Sequence, residues 1–173
     1  MIRTIIADPP WRERGGGRIK RGADRHYPLM STAQNIEVMK NWLNQHELSD
    51  DLHLYLWVTN NFLVDGIRAI EELGFRYITN IIWIKNSIGL GRYFRGKHEI
   101  CLFATRGRGF GVITESRSIP SVFHAKKRDH SRKPEEFYQL VEKRSKGKYL
   151  YMFSRSDWPN WIMTGNEAGK YGE

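Results

Sequence analysis

Residues 8–11 read Asp-Pro-Pro-Trp and follow directly on the apolar stretch Ile5-Ile6-Ala7. Two consecutive prolines fix φ near about −65° and remove two backbone donors, so neither a strand ladder nor a helix runs through this point. The apolar stretch must stop here. Its last carboxylate, Asp8, then stands at the carboxyl end of a strand, where open α/β sheets bind ligands. The carbonyls of Asp8 and Pro9 are expected to be stiffly held, with no donor beside them. A carboxylate, rigid carbonyls and the indole of Trp11 make a receptor for a planar group bearing an amine. The amine donates to the oxygens and the ring stacks on the indole. The exocyclic amine of a nucleobase has that form, adenine foremost. Asp-Pro-Pro also ends ordinary strands, so the motif gains meaning only from the rest of the chain.

Strand and helix signals alternate beyond it. Residues 2–7 predict a strand, and 12–30 a polar loop with Gly15-Gly16-Gly17 and the basic cluster Arg18, Lys20, Arg21 and Arg25. Ser31 and Gln34 have capping-box spacing, followed by Ile36, Met39 and Leu43 at helical period. Leu52 to Val58 predicts a strand. Asn60 or Asn61 is placed to cap a helix with Leu63, Ile67 and Ile70 on one face and Gly74 as its stop. Phe75–Ile84 and Ile100–Ala104 predict strands, and residues 86–97 and 106–133 long loops. Pro134-Glu135-Glu136 opens a helix that Lys143-Arg144 closes before Gly147. Tyr149–Phe153 reads as a final strand. This alternation predicts one α/β domain over residues 1–173 with a largely parallel sheet. Loops this long in a compact domain are more often functional than idle.

Composition narrows the partners. At 173 residues the chain can bury roughly two-thirds of its unfolded surface. Lys plus Arg number 28 against 19 Asp plus Glu, a net charge of +9, which suits a polyanion. The single cysteine, Cys101, excludes an internal disulfide and reads as a buried apolar side chain. No apolar stretch approaches the roughly 20 residues that span a bilayer, and no signal-peptide pattern is present. A cytoplasmic compartment is expected.

Several further motifs occur in order: Tyr27-Pro28-Leu29-Met30-Ser31, Leu56-Trp57-Val58-Thr59-Asn60, Ile82-Trp83-Ile84-Lys85, Gly96-Lys97-His98-Glu99, His130-Ser131-Arg132-Lys133-Pro134-Glu135 and Gly165-Asn166-Glu167. Together with Ala7-Asp8-Pro9-Pro10-Trp11 they resemble the MT-A70 family of adenine methyltransferases, over nearly the whole chain from Ala7 to Glu167. The resemblance implies a Rossmann-like fold that uses S-adenosylmethionine, permuted so that the catalytic strand comes first and the donor-site strand last.

On that resemblance Asp8, Pro9, Pro10 and Trp11 are the catalytic residues. Oxygens of Asp8 and Pro9 accept the two hydrogens of the adenine amine, favouring a pyramidal nitrogen whose lone pair points at the methyl group. Positioning and preorganised dipoles supply the acceleration, and no metal-ligand spacing is present. The donor site is expected to gather Asp8, Lys133, Phe153, Ser154, Arg155, Asn166 and Glu167. Lys133 neutralises the donor's carboxylate, and Asn166 or Glu167 bonds ribose hydroxyls. Two departures are visible. Tyr151 stands where the family often carries an acid, and Ser154-Arg155-Ser156 replaces a glycine-rich turn. Trp11 and Tyr27 are expected to stack an unpaired target base. Arg18, Lys20, Arg21, Arg25, Arg92, Arg95, Lys126, Lys127 and Arg128 are expected to hold phosphates, with His98 also at the acceptor. Trp57 and Trp83 read as core, and His98 and His130 are equally consistent with structural roles.

The acceptor implied is adenine in DNA, with RNA adenosine as the alternative. An inactive nucleic-acid-binding partner subunit is a further alternative, against which intact Asp8 and Trp11 argue. Cytosine amino methylation is weaker, because relatives of that specificity usually carry serine in place of Asp8. A homodimer or heterodimer is compatible with the resemblance.

Overall fold

The computed structural model describes residues 1–12, 30–129 and 131–165. Among these residues, seven strands and three helices follow one another as β1 (Ile2–Ala7), α1 (Thr32–Asn44), β2 (Leu48–Val58), α2 (Leu63–Glu72), β3 (Arg76–Lys85), β4 (His98–Arg106), β5 (Val122–Ala125), α3 (Glu135–Arg144), β6 (Tyr149–Met152) and β7 (Trp161–Thr164). The strands form one sheet in the order β5-β3-β4-β2-β1-β6-β7. β1 lies parallel to both β2 and β6, and β3–β5 and β6–β7 are also parallel. Only β4 runs against its neighbours, β2 and β3. The sheet is therefore mixed, with four of its six strand pairings parallel.

Alternation along the strands makes two cores. Ile5 and Ala7, Leu54 and Leu56, and Leu150 and Met152 face α1 and α2. Ile6, Tyr55, Trp57, Cys101 and Tyr151 face the other way, onto Phe137, Tyr138 and Val141 of α3. Side chains on successive strand residues point to opposite faces, so a run apolar on both parities must be covered on both sides. Trp57 and Trp83 are core, as their sequence context implies.

The helix starts follow local chemistry. The Ser31 hydroxyl accepts the Gln34 N–H at 3.2 Å, and the Gln34 side-chain oxygen accepts the Ser31 N–H at 2.8 Å. Such a cap contributes about 1 kcal/mol. The second helix begins differently from its prediction. A 3-10 turn at Asn60–Phe62 precedes α2, whose N-cap Phe62 offers no side-chain cap. Its buried face is Gly66, Ala69 and Ile70, while Leu63 is exposed. A Cβ on Gly66 would lie 2.4 Å from Val58 Cγ1, so only glycine lets α2 ride this close to the sheet. Gly74 adopts φ +83° and ends the helix as predicted.

Two strands go beyond the sequence reading. β5 lies inside the segment predicted as a loop at 106–133, and β7 follows the strand predicted to be last. Both are four residues long and form the two edges of the sheet. Among the described residues, no helix is long and apolar enough to cross a membrane.

Candidate active site

The carboxyl ends of β1, β2 and β6 meet where Asp8 leaves the sheet. The Asp8 N–H donates to Met152 O at 3.1 Å, which continues the β1–β6 ladder one residue past β1. Proline then stops the ladder. The chain folds back at once, because the first donor after the two prolines, Trp11 N–H, bonds Pro9 O at 3.0 Å, and Met30 N–H bonds Pro10 O at 3.3 Å. The carbonyl of Pro9 therefore has a donor beside it, contrary to the sequence expectation. Its second lone pair remains for a ligand.

Trp11 is buried. Its indole packs on Phe62, with ring centroids 5.7 Å apart, and donates through Nε1 to Trp57 O at 2.9 Å. The indole pins the Asp-Pro-Pro turn to β2, and at 2% exposure it offers no open face to a base. The sequence reading treated it as a stacking platform because an aromatic after a turn carries no signal of burial.

Asp8 lies in a buried charge network. Its Oδ2 is 3.3 Å from Lys133 Nζ and 3.6 Å from Arg155 Nε. Lys133 Nζ also reaches Glu99 Oε1 at 3.1 Å, and Glu99 Oε2 is 2.7 Å from Lys85 Nζ. The Lys133 ammonium sits 4.7 Å above the Trp57 ring, a cation–π contact in a desolvated place. Lys85, Lys133 and Arg155 thus surround the carboxylates of Asp8 and Glu99. Burial pushes the Glu99 carboxyl upward, but Lys133 and Lys85 overcome this and hold it at about 2. Burial likewise opposes charge on Lys133, yet Asp8 and Glu99 raise its pKa above the ordinary lysine value.

Each member is delivered by its backbone. Lys133 ends the loop before α3, and Pro134 is that helix's N-cap. Phe153 takes φ +58° and sends the chain out of β6 into the turn that replaces a glycine-rich one. Its ring returns to the α1 side, 4.7 Å from Trp42. Ser154 N–H donates to Thr164 O at 3.1 Å and its hydroxyl to Ser156 O at 2.5 Å, so a hydroxyl closes the turn and points Arg155 at Asp8. Tyr151 is buried among Tyr138 and Trp161, inside the core below the turn.

The donor that the resemblance implies carries a carboxylate and polar ribose and adenine groups. Three observations fit it. The Lys133 ammonium stands buried beside Asp8. Trp57 Nε1 and Thr59 Oγ1 are buried at the end of β2 without hydrogen-bond partners among the described residues, beside Asp8 in the strand register. Buried polar groups of this kind call for a ligand or water.

Sequence reasoning missed Glu99 and Lys85, although both close motifs it had singled out. It chose His98 instead. Strand alternation sends Glu99, like Cys101, to the α3 face, whereas His98 is exposed at the start of β4 and away from Asp8. Arg92 and Arg95 are exposed on the β3–β4 connection and are not brought to Asp8, and Arg95 Nε donates to Gly89 O at 2.9 Å. Lys126 and Lys127 are exposed, and Arg128 Nη1 donates to Lys133 O at 3.2 Å. Arg18, Lys20, Arg21, Arg25, Tyr27, His130, Asn166 and Glu167 lie outside the described residues.

The family model described as MT-A70 matches residues 2–167. The N(6)-adenosine-methyltransferase catalytic subunit METTL3 of Homo sapiens is 30% identical over 177 residues, covering 95% of this chain and 28% of that protein. The METTL3 subunit of Danio rerio is 31% identical, covering 95% of this chain and 27% of its own length. The probable N(6)-adenosine-methyltransferase MT-A70-like of Oryza sativa subsp. japonica is 29% identical, with 95% and 22% covered. The chain thus spans about a quarter of the length of these relatives.

Proposed function

Because the chain belongs to the MT-A70 family over residues 2–167, we propose that it transfers a methyl group from S-adenosylmethionine to the exocyclic amine of adenine in a nucleic acid. The methyl donor of MT-A70 methyltransferases is S-adenosylmethionine. The observation that carries the reading is Asp8 at the end of β1, buried between Lys133 and Arg155.

In this reading Lys133 and Arg155 hold Asp8 in place, and the Lys133 ammonium receives the donor's carboxylate. Both cations address Oδ2, so Oδ1 is the oxygen we assign to the adenine amine, with Pro9 O as the second acceptor. When bound, the donor supplies an electrophilic methyl group. Asp8 and Pro9 draw the two amine hydrogens out of the ring plane and free the nitrogen lone pair. Fixed acceptors act without reorganising, which is where most of the acceleration arises. Asn166 and Glu167 are assigned to the ribose. We read the strand order as permuted, with the catalytic strand β1 first and the donor strand β6 late in the chain.

The sequence pointed to DNA ahead of RNA. The relatives are named for adenosine, and one as a catalytic subunit, so we put RNA adenosine first and DNA adenine second, with a partner chain as part of the reading. The test is incubation with labelled S-adenosylmethionine and matched RNA and DNA, followed by nucleoside mass spectrometry. N6-methyladenine in one of them is the expected result. No transfer to either, alone or with a partner, turns the reading to an inactive nucleic-acid-binding subunit.

A further inference from the structure

A second concavity opens at the other end of the sheet from Asp8. It has a volume of about 360 Å³ and is bounded by the start of β3, the end of β4, the 3-10 turn at Gly109–Gly111 and the end of α3. Its floor is His53 and Phe103, with ring centroids 4.9 Å apart. The wall is apolar but uncovered: Phe110 is 86% exposed and Ile78 46%. Arg76, Arg117 and Arg144 ring the space, no carboxylate lines it, and none of the three makes an ion pair among the described residues.

Two features argue that this is a built site. Arg144 is tied down by Nη2, which donates to Thr114 O at 3.2 Å and Ser116 O at 3.0 Å, yet its Nε is buried with no acceptor among the described residues. A fixed cation with an orphaned donor asks for an anion. The floor is equally fixed. His53 Nε2 donates to Gly109 O at 2.8 Å, so Nδ1 accepts from Ser145 Oγ at 2.6 Å, which in turn accepts from Tyr55 OH at 2.7 Å. Gly109 fits so tightly that a Cβ there would lie 2.8 Å from Thr105 Cγ2. The turn can approach His53 only as glycine, and doing so it carries Phe110 to the rim, where the ring adds nothing to the core.

We propose that this pocket binds a nucleotide-sized planar anion, with its phosphate or carboxylate on the arginines and its flat body against Phe103 and Phe110. Guanidinium forks suit both anionic groups, and the volume lies in the range of small-molecule sites. The proposal is independent of the methyl-transfer reading.

The test is calorimetric titration with adenosine monophosphate, in the presence of saturating S-adenosylhomocysteine. Adenosine and inorganic phosphate are titrated separately. We expect saturable binding of adenosine monophosphate that weakens at least tenfold in Arg76→Ala/Arg117→Ala and in Phe110→Ala. Each half-probe should bind at least tenfold more weakly than the whole. A planar dicarboxylate probe, isophthalate, separates phosphate from carboxylate recognition. Undiminished affinity in the arginine double variant overturns the proposal. So does loss confined to Asp8→Asn, which would put the nucleotide in the acceptor site. Inorganic phosphate binding as tightly as the nucleotide removes the aromatic wall from the site and overturns it as well.

Discussion

Replacing Glu99 by Gln keeps the shape of the side chain and removes its charge from between Lys133 and Lys85. The gap between an ordinary carboxyl at 4.5 and one held at about 2 corresponds to roughly 3 kcal/mol of preference for the ionised form in the fold. The side chain retains 28% of its accessibility, so water screens part of this, and we expect a loss of about 2 kcal/mol at neutral pH. With a urea slope of roughly 2 kcal/mol/M, the unfolding midpoint should fall by about 1 M. The pH dependence fixes the sign. The folded carboxyl has the lower pKa, so its contribution is complete above 4.5 and is lost as pH falls toward about 2. The gap between wild type and Glu99→Gln should therefore narrow by roughly half near about pH 3. Urea melts of both proteins from neutral pH down to that point make the comparison. Equal midpoints at neutral pH, or a gap that persists undiminished in acid, would show that Glu99 is not held by the two lysines.

Three other outcomes follow from the same geometry. Asp8→Asn should lower turnover by about 10²–10³ through loss of one preorganised acceptor, while donor binding by calorimetry stays near wild type; full turnover would remove Asp8 from the reaction. Lys133→Met leaves Asp8 and Glu99 facing each other across an apolar side chain, so stability should drop by about 3–5 kcal/mol and donor affinity should fall with it; retained donor affinity in a folded variant takes Lys133 out of the donor site. His53 is held at about 4 by burial, against 6.5 for a free imidazole, so the neutral ring contributes stability that is complete above 6.5 and fades as pH falls to about 4. That slope should be absent from melts of His53→Gln, and its persistence would assign it to another group.

The residues near the start of the chain were the most legible. Asp-Pro-Pro-Trp ends β1 where proline chemistry requires, the Ser31–Gln34 box starts α1, and the acids and bases flanking α3 mark its ends. These signals are local. β5 and β7 were missed because a four-residue edge strand is too short to show a period, and its pairing partner supplies the evidence for it. The charge network was missed for a related reason. Glu99 and Lys133 are 34 positions apart, and only the pairing of Trp83 with Glu99 in the β3–β4 ladder brings Lys85 alongside. Trp11 shows the opposite failure. Its sequence context suggested an open platform, while the bond to Trp57 O across the sheet makes it an anchor.

The position of β1 has a consequence for the order in which the chain can be made. Thr4 pairs with His53 on one side and with Tyr149 on the other. By loop-closure entropy the longer closure costs only about 1 kcal/mol more, so the expense is in time. A ribosome adding about 5–20 residues per second needs on the order of ten seconds between releasing β2 and releasing β6. Throughout that interval β1 carries an apolar strand with one bare edge, a template for pairing with another nascent chain. The end of the sheet that bears Asp8 is therefore completed late. A ribosome stalled before residue 149 would hold much of the α1–α2 side of the core and none of the β6 turn that delivers Arg155.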